Sequence, residues 1–205
     1  ENKALKEELQ ELKNEIYHAG ELENMNDWLF NYLELKRQRT DFKFESAKIT
    51  GESGNYITVY TLDAGSRKGI KSGMPVVTSD GIVGFVTEVG TSWCKAVSLI
   101  EASTSTGALV ERTGEIGLVT GDFNLASDGL CKLIYLDSES DIKEGDRILT
   151  SGYGGVYPKG LVIGYVSSVE ADPYSRTITA YIKPAVALDS VSSVMIVTKY
   201  DEYSE

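Results

Sequence analysis

One histidine, His18, and two cysteines, Cys94 and Cys131, are all that this 205-residue chain offers of the residue types that most often carry acid–base catalysis or bind zinc. A Ser-His-Asp triad needs an imidazole beside its nucleophile. His18 lies in a helical segment remote in sequence from every glycine-framed serine, and Ser151 stands in TSGYGG, which is not the G-x-S-x-G of hydrolases. A zinc centre asks for three or four converging Cys, His or carboxylate ligands, and none are spaced for it. His18 therefore reads as a solvated flank of a helix. The two cysteines fall far apart inside β-like runs, with neither metal spacing nor a disulfide framework, and read as small buried hydrophobes.

Positive charge is also scarce. The net charge is −11 and no cluster of Lys and Arg follows Arg39, which excludes a nucleic-acid surface, since phosphate neutralisation requires such a cluster. No apolar run approaches the roughly 18–20 residues of a membrane span, and no signal peptide is present. The chain opens ENKALKEELQ, without methionine and already in a helical pattern. The expectation is a piece of a longer protein, with any export signal or anchor preceding Glu1. The acidic stretch DSESDIKEGD (137–146) lacks the alternating ligands and bidentate glutamate of a calcium loop and reads as a solvated turn. TSGYGGVYPKGLVIG (150–164) does not meet G-x-x-x-x-G-K-[ST] and precedes no helix, so it is not a phosphate cradle. No catalytic, cofactor-binding or metal-binding residue is expected.

What is present begins with a helix. Up to Arg39 there is no proline and one glycine, and Leu5, Leu9, Leu12, Ile16 and Ala19 recur in alternating steps of four and three. That 3.5-residue period is the seam of a left-handed coiled coil. Near Gly20 the frame slips and resumes at Leu22, Asn26, Leu29 and Leu33, which predicts local over-winding or an early end to tight pairing. Asn26 at a core position would select register and partner number. The rival reading is a helix folded back on its own domain. The charged flanks leave a stripe narrower than a core-facing helix usually shows, which favours self-association into a homodimer.

After Arg39 the period becomes two. Strands are predicted at 43–50, 56–62, 74–78, 82–89, 95–100, 107–111, 116–119, 130–136, 147–150, 161–169, 177–182 and 193–199. Self-comparison aligns IKSGMPVVTS (70–79) with IKEGDRILTS (142–151), and DGIVGFVTEV (80–89) with KGLVIGYVSSV (159–169); GYGGVYP (152–158) is an insertion in the second copy. Two related β units suit two small closed barrels of about six strands. Gly73 and Gly145 suit positive φ at corners. SDG at 79–81 and again at 127–129 predicts type I′ hairpin turns, with Gly81 at a position needing positive φ. Gly84 and Gly164, inside apolar strands, predict bends or bulges. Tyr153 and Tyr157 on the insertion read either as plugs over a barrel end or as a partner surface.

LDAGSRKGIKSGMPVVTSDGIVGFVTEV together with EGDRILTSGYGGVYPKGLVIGYV resembles the MreC family of bacterial rod-shape-determining proteins. The likeness is carried by Gly73, Gly81 and Gly84, and by the string from Gly145 and Asp146 through Thr150, Ser151, Gly152, Gly154, Gly155 and Pro158 to Gly160; Tyr157 departs from it where phenylalanine is usual. The resemblance implies a mainly β protein: a coiled coil over 1–40, a first barrel over 41–120, a second over 121–200 and a tail at 201–205, with exchange of terminal strands left open. It further implies a single-pass protein of the cytoplasmic membrane with this part outside, in the periplasm or on the outer face. Such a protein is a non-enzymatic scaffold of lateral wall elongation that contacts a class B penicillin-binding transpeptidase, MreD and other copies of itself. The tandem barrels are expected to present strand edges and loops to partners. An adaptor of a secretion or efflux assembly is the alternative, but it would carry a second helical arm, and none is visible in the sequence.

Overall fold

With only Gly20 to interrupt it, the opening segment forms one continuous helix, α1 (Asn2–Gln38), in the computed structural model, which describes residues 2–54, 59–153, 157–172 and 177–200. Lys36 and Arg37 in its last turn complement the partial negative charge of the helix C-terminus. The helix runs unbroken through Gly20, so the frame slip changes which face carries leucine without interrupting the backbone. Residues 1–39 and 40–205 are separate compact units.

The second unit carries twelve described strands, one for each run of period two: β1 (Phe42–Ser53), β2 (Val59–Leu62), β3 (Pro75–Val77), β4 (Ile82–Val89), β5 (Cys94–Ser98), β6 (Ser105–Val110), β7 (Ile116–Thr120), β8 (Cys131–Asp137), β9 (Arg147–Thr150), β10 (Val162–Asp172), β11 (Thr177–Pro184) and β12 (Ser193–Tyr200). They close into two six-stranded barrels, ordered β1-β12-β3-β4-β5-β2 and β10-β11-β8-β7-β6-β9. A division at 120/121 is therefore corrected: β6 and β7 belong to the second barrel, and the first is completed only by β12, from the far end of the chain. The second barrel is an insertion between β5 and β12. Strand pairing is non-local, so a repeat that marks matching hairpins does not reveal which sheet each remaining strand joins. Residues 201–205 lie outside the described residues.

The matching hairpins are superimposable in their hydrogen bonds. Gly73 N–H donates to the Val86 carbonyl and Val86 N–H to that of Met74; Gly145 N–H donates to Val166 and Val166 N–H to Asp146, all at 2.8–2.9 Å. Val76 pairs with Gly84 as Ile148 pairs with Gly164, each beside a register shift. A Cβ on Gly84 would lie 1.8 Å from the Val97 carbonyl oxygen, and one on Gly164 2.1 Å from that of Lys183, so both glycines mark bulges where neighbouring backbones close in. Gly73 and Gly145 take φ of +87° and +86°.

Both SDG turns depart from type I′. Neither Asp80 nor Gly81 takes positive φ, and Ser127 to Gly129 belong to a 3-10 turn whose only left-handed residue is Gly129. Gly81 is required for another reason, its closeness to the second barrel, described below. The first core gathers Tyr60, Leu62, Val76, Val86, Cys94, Ala96, Val194 and Ile196. Tyr60, fully buried, keeps its hydroxyl satisfied by donating to the Leu188 carbonyl at 2.7 Å.

A Cβ at Gly20 would meet nothing within 4 Å. Gly20→Ala should therefore stabilise α1 by about 0.5–1 kcal/mol, through the entropy glycine loses in a helix. Thermal melts followed by far-ultraviolet circular dichroism should show a higher midpoint and more helix.

Candidate interaction surfaces

Four features of this chain define its candidate surfaces, the brace of one barrel and the seam between the two. The first is the α1 seam. Leu9, Leu12, Ile16, Leu22, Leu29 and Leu33 expose 47–71% of their surface, and Ala19 and Asn26 are exposed with them; the Leu5 side chain lies outside the described residues. A second row escaped the period analysis: Trp28 stacks on Tyr32 with ring centroids 5.5 Å apart, and Lys36 Nζ stands 5.8 Å from the Tyr32 ring. The 28-32-36 spacing is its signal in the sequence.

The second feature is the glycine-rich insertion. Thr150, fully buried, is its clasp: Thr150 Oγ1 donates to the Pro158 carbonyl at 2.6 Å and accepts from Leu161 N–H at 2.9 Å. The ten residues between Thr150 and Leu161 thus close over a base that needs only two in the first barrel, where Thr78 N–H donates to the Gly81 carbonyl. Gly152 and Gly160 turn the ends with φ of +77° and +84°, and Pro158 is buried. Gly154 and Gly155 lie outside the described residues. Ser151, 5% exposed, packs its Oγ where a Cβ on Gly107 would lie, at 2.6 Å, and accepts from Tyr153 N–H. It is a structural serine here.

The two tyrosines part company. Tyr157 is half-buried and stacks on Phe85 of β4, with centroids 4.1 Å apart, and burial pushes its hydroxyl pKa up, with Tyr200 adding to the shift. Its ring joins the barrels, which favours the packed one of its two readings, with the ring set against the other barrel. Tyr153 remains 65% exposed. The second contact between barrels is backbone on backbone: a Cβ on Gly81 would lie 2.4 Å from the Val162 carbonyl oxygen. The apolar run IVGFV of β4 is buried throughout, both faces being covered, and such a run is the sequence signal for this seam. Because both barrels close, docking through a free sheet edge loses its basis in the barrel closure itself.

The third feature lies in the acidic stretch, which is braced rather than merely solvated. Arg112 grips Asp146 through two hydrogen bonds of 2.7 and 2.8 Å and reaches Asp141 at 2.8 Å; Lys143 N–H adds 2.9 Å to Asp146. These bonds, the Arg112 one foremost, hold the Asp146 carboxyl below its ordinary range against the opposing effect of burial. The fourth feature is a groove of about 390 Å³ on the second barrel, lined by Glu115, Ile116, Tyr135, Leu136, Asp137, Glu139 and Ser140. The sequence reading did not find it, because the residues come from two strands and a loop.

The family model described as "Rod shape-determining protein MreC, barrel core" matches residues 49–198. The chain belongs to the MreC family. Among curated relatives, the "Cell shape-determining protein MreC" of Caulobacter vibrioides is 35% identical over 167 residues, covering 80% of this chain and 46% of that protein, so the chain spans under half of that relative's length. A solved MreC from Listeria monocytogenes superimposes with a TM-score of 0.72 at 26% identity, over 100% of this chain and 98% of that one. A likeness in fold alone, at 16% identity and TM-score 0.60 over 77% and 99% of the chains, links it to a complex between Penicillin-Binding Protein (PBP2) and MreC from Helicobacter pylori. Among the described residues, no helix is long and apolar enough to cross a membrane.

Gly81→Ala drives a methyl group into the Val162 carbonyl and should cost about 1–3 kcal/mol, lowering Tm by several degrees and altering the tyrosine near-ultraviolet signal of the Phe85–Tyr157 stack. A second prediction concerns acid. The Arg112–Asp146 contribution is complete above the unfolded carboxylate pKa of about 3.9 and is lost as pH falls through the lower folded value. Asp146→Asn should cost about 1–2 kcal/mol at neutral pH, a figure reduced for the screening of half-exposed Arg112. In denaturant titrations the difference from the parent chain should shrink towards pH 2.

Proposed function

We propose that this chain is the extracytoplasmic part of a membrane-anchored, non-enzymatic scaffold of lateral cell-wall elongation. In this reading α1 pairs two copies in parallel, an N-terminal span outside this sequence sets them on one membrane, and the tandem barrels dock a class B penicillin-binding transpeptidase and MreD. The observation that carries it is the exposed apolar seam of a helix too narrow in its apolar stripe to face a core, joined to membership of a shape-determining family. The Helicobacter pylori complex supports a transpeptidase as the partner class. Higher assemblies than the dimer follow if the barrels also meet one another.

Sedimentation velocity at micromolar concentration should show a dimer. Leu9→Glu with Ile16→Glu should yield a folded monomer, because two charges per chain would enter the paired seam. In a rod-shaped host depleted of its own family member, the full-length protein should restore rods and the paired glutamate variant should leave rounded cells. A wild-type chain that stays monomeric and a glutamate variant that restores shape would together remove the dimeric scaffold.

A further inference from the structure

We propose that the groove between Ile116 and Tyr135 on the second barrel docks a peptide segment of a partner protein in which Lys or Arg alternates with apolar side chains. The inference rests on the scaffold reading and names the chemistry that one docking face would take. Ile116 and Tyr135 expose 47% and 74% of their surface above the buried Leu136. They stand on neighbouring strands, where Leu118 of β7 pairs with Ile134 of β8. Tyr135 is presented by a bulge: the β8–β11 register shifts between Ile178 and Ala180, and Tyr135 takes φ of +65°, the one non-glycine among the described residues with positive φ. A bulky side chain there is strained, and the conformation turns an aromatic ring out to solvent where a regular strand would alternate it inward.

Charge selects the occupant. Glu115, Asp137 and Glu139 line the groove and no Lys or Arg does. Glu115 accepts from the Ser140 hydroxyl and Asp141 N–H, and Asp137 from Glu139 N–H, neutral donors that leave the negative charge in place. The cations nearest in sequence are engaged elsewhere: Arg112 by Asp141 and Asp146, Lys143 by Asp141, and Lys132 by Asp122. An anionic lipid surface or a nucleic acid would be repelled. A cation flanked by apolar groups meets carboxylates at the rim, an apolar floor, and the face of a tyrosine ring suited to cation–π contact. At about 390 Å³ the groove is within the size range of clefts that hold small ligands.

The test uses the whole chain and two fluorescent decapeptides, one alternating Lys with Leu and Phe, the other with Glu in place of each Lys. Anisotropy and amide NMR shifts should show the cationic peptide binding at Ile116, Tyr135, Leu136 and Glu139, the anionic one not binding, and affinity falling with salt. Glu139→Lys should weaken binding at least about tenfold, the loss expected when one close charge pair becomes repulsive. Tyr135→Gly should weaken it while raising Tm by a few degrees, since glycine relieves the left-handed strain, so lost binding cannot be lost folding. The proposal is overturned if the cationic peptide does not bind, if both peptides bind alike, if the shifts map elsewhere, or if a second copy of the chain fills the groove in the absence of peptide. A dimeric chain that restores rods yet ignores the peptide sinks the groove alone; a monomeric chain that fails to restore rods sinks the scaffold.

Discussion

The pairing of β1 with β12 is the constraint on which the architecture rests. These strands lie at opposite ends of the β region, yet Phe42 to Lys48 run antiparallel to Tyr200 to Ser193 through one bulge between Lys43 and Phe44. Without β12 the first barrel would present two open edges, from β1 and from β3, with unpaired N–H and C=O groups. With it, everything between β5 and β12 becomes an excursion that must leave and return to the same barrel. The edge-to-face contact of Phe42 on β1 with Tyr200 on β12 reinforces the closure.

An inserted barrel tethered at both ends has its position set by short connections and by the few atoms at the seam. Gly121 lies so close to the crossing that a Cβ would be 2.1 Å from the Glu101 carbonyl oxygen. Thr104 fastens the same crossing, donating to the Leu99 and Glu101 carbonyls, while Thr120 donates to the Thr104 carbonyl. Gly81 against Val162 and Phe85 against Tyr157 add to it. The barrels are held by close backbone approach, by the Phe85–Tyr157 stack and by Ala126, which reaches from the β7–β8 connection into the first core. The glycines at these approaches serve construction.

This construction suits a scaffold. Closed barrels offer no strand edge for non-specific pairing, so specificity must come from side-chain surfaces, and the surfaces that stand out are the apolar stripe of α1 and the acid-rimmed groove of the second barrel. The two differ in kind. The stripe is apolar between charged flanks, the pattern that the proposed pairing of identical helices would use, whereas the groove is lined by charge of one sign.

Much was legible without coordinates. The 3.5-residue period set α1, the period-two runs set each of the twelve strands, and the repeated IK-x-G segment set the matched hairpins with Gly73 and Gly145 in positive φ, because these depend on nearest neighbours and on what a backbone without Cβ can do. The type I′ reading of SDG failed for the same locality: a dipeptide states which turns are permitted, and Gly81 is present because a carbonyl from the other barrel comes too close for any side chain. Tyr153 and Tyr157, four residues apart on one loop, were indistinguishable until Phe85 was seen to take one of them. Membership of β6, β7 and β12, the inward Tyr157 and the Ile116–Tyr135 groove were decided only by tertiary structure, since each joins residues whose separation along the chain carries no periodic signal and whose meeting depends on the closure of a sheet.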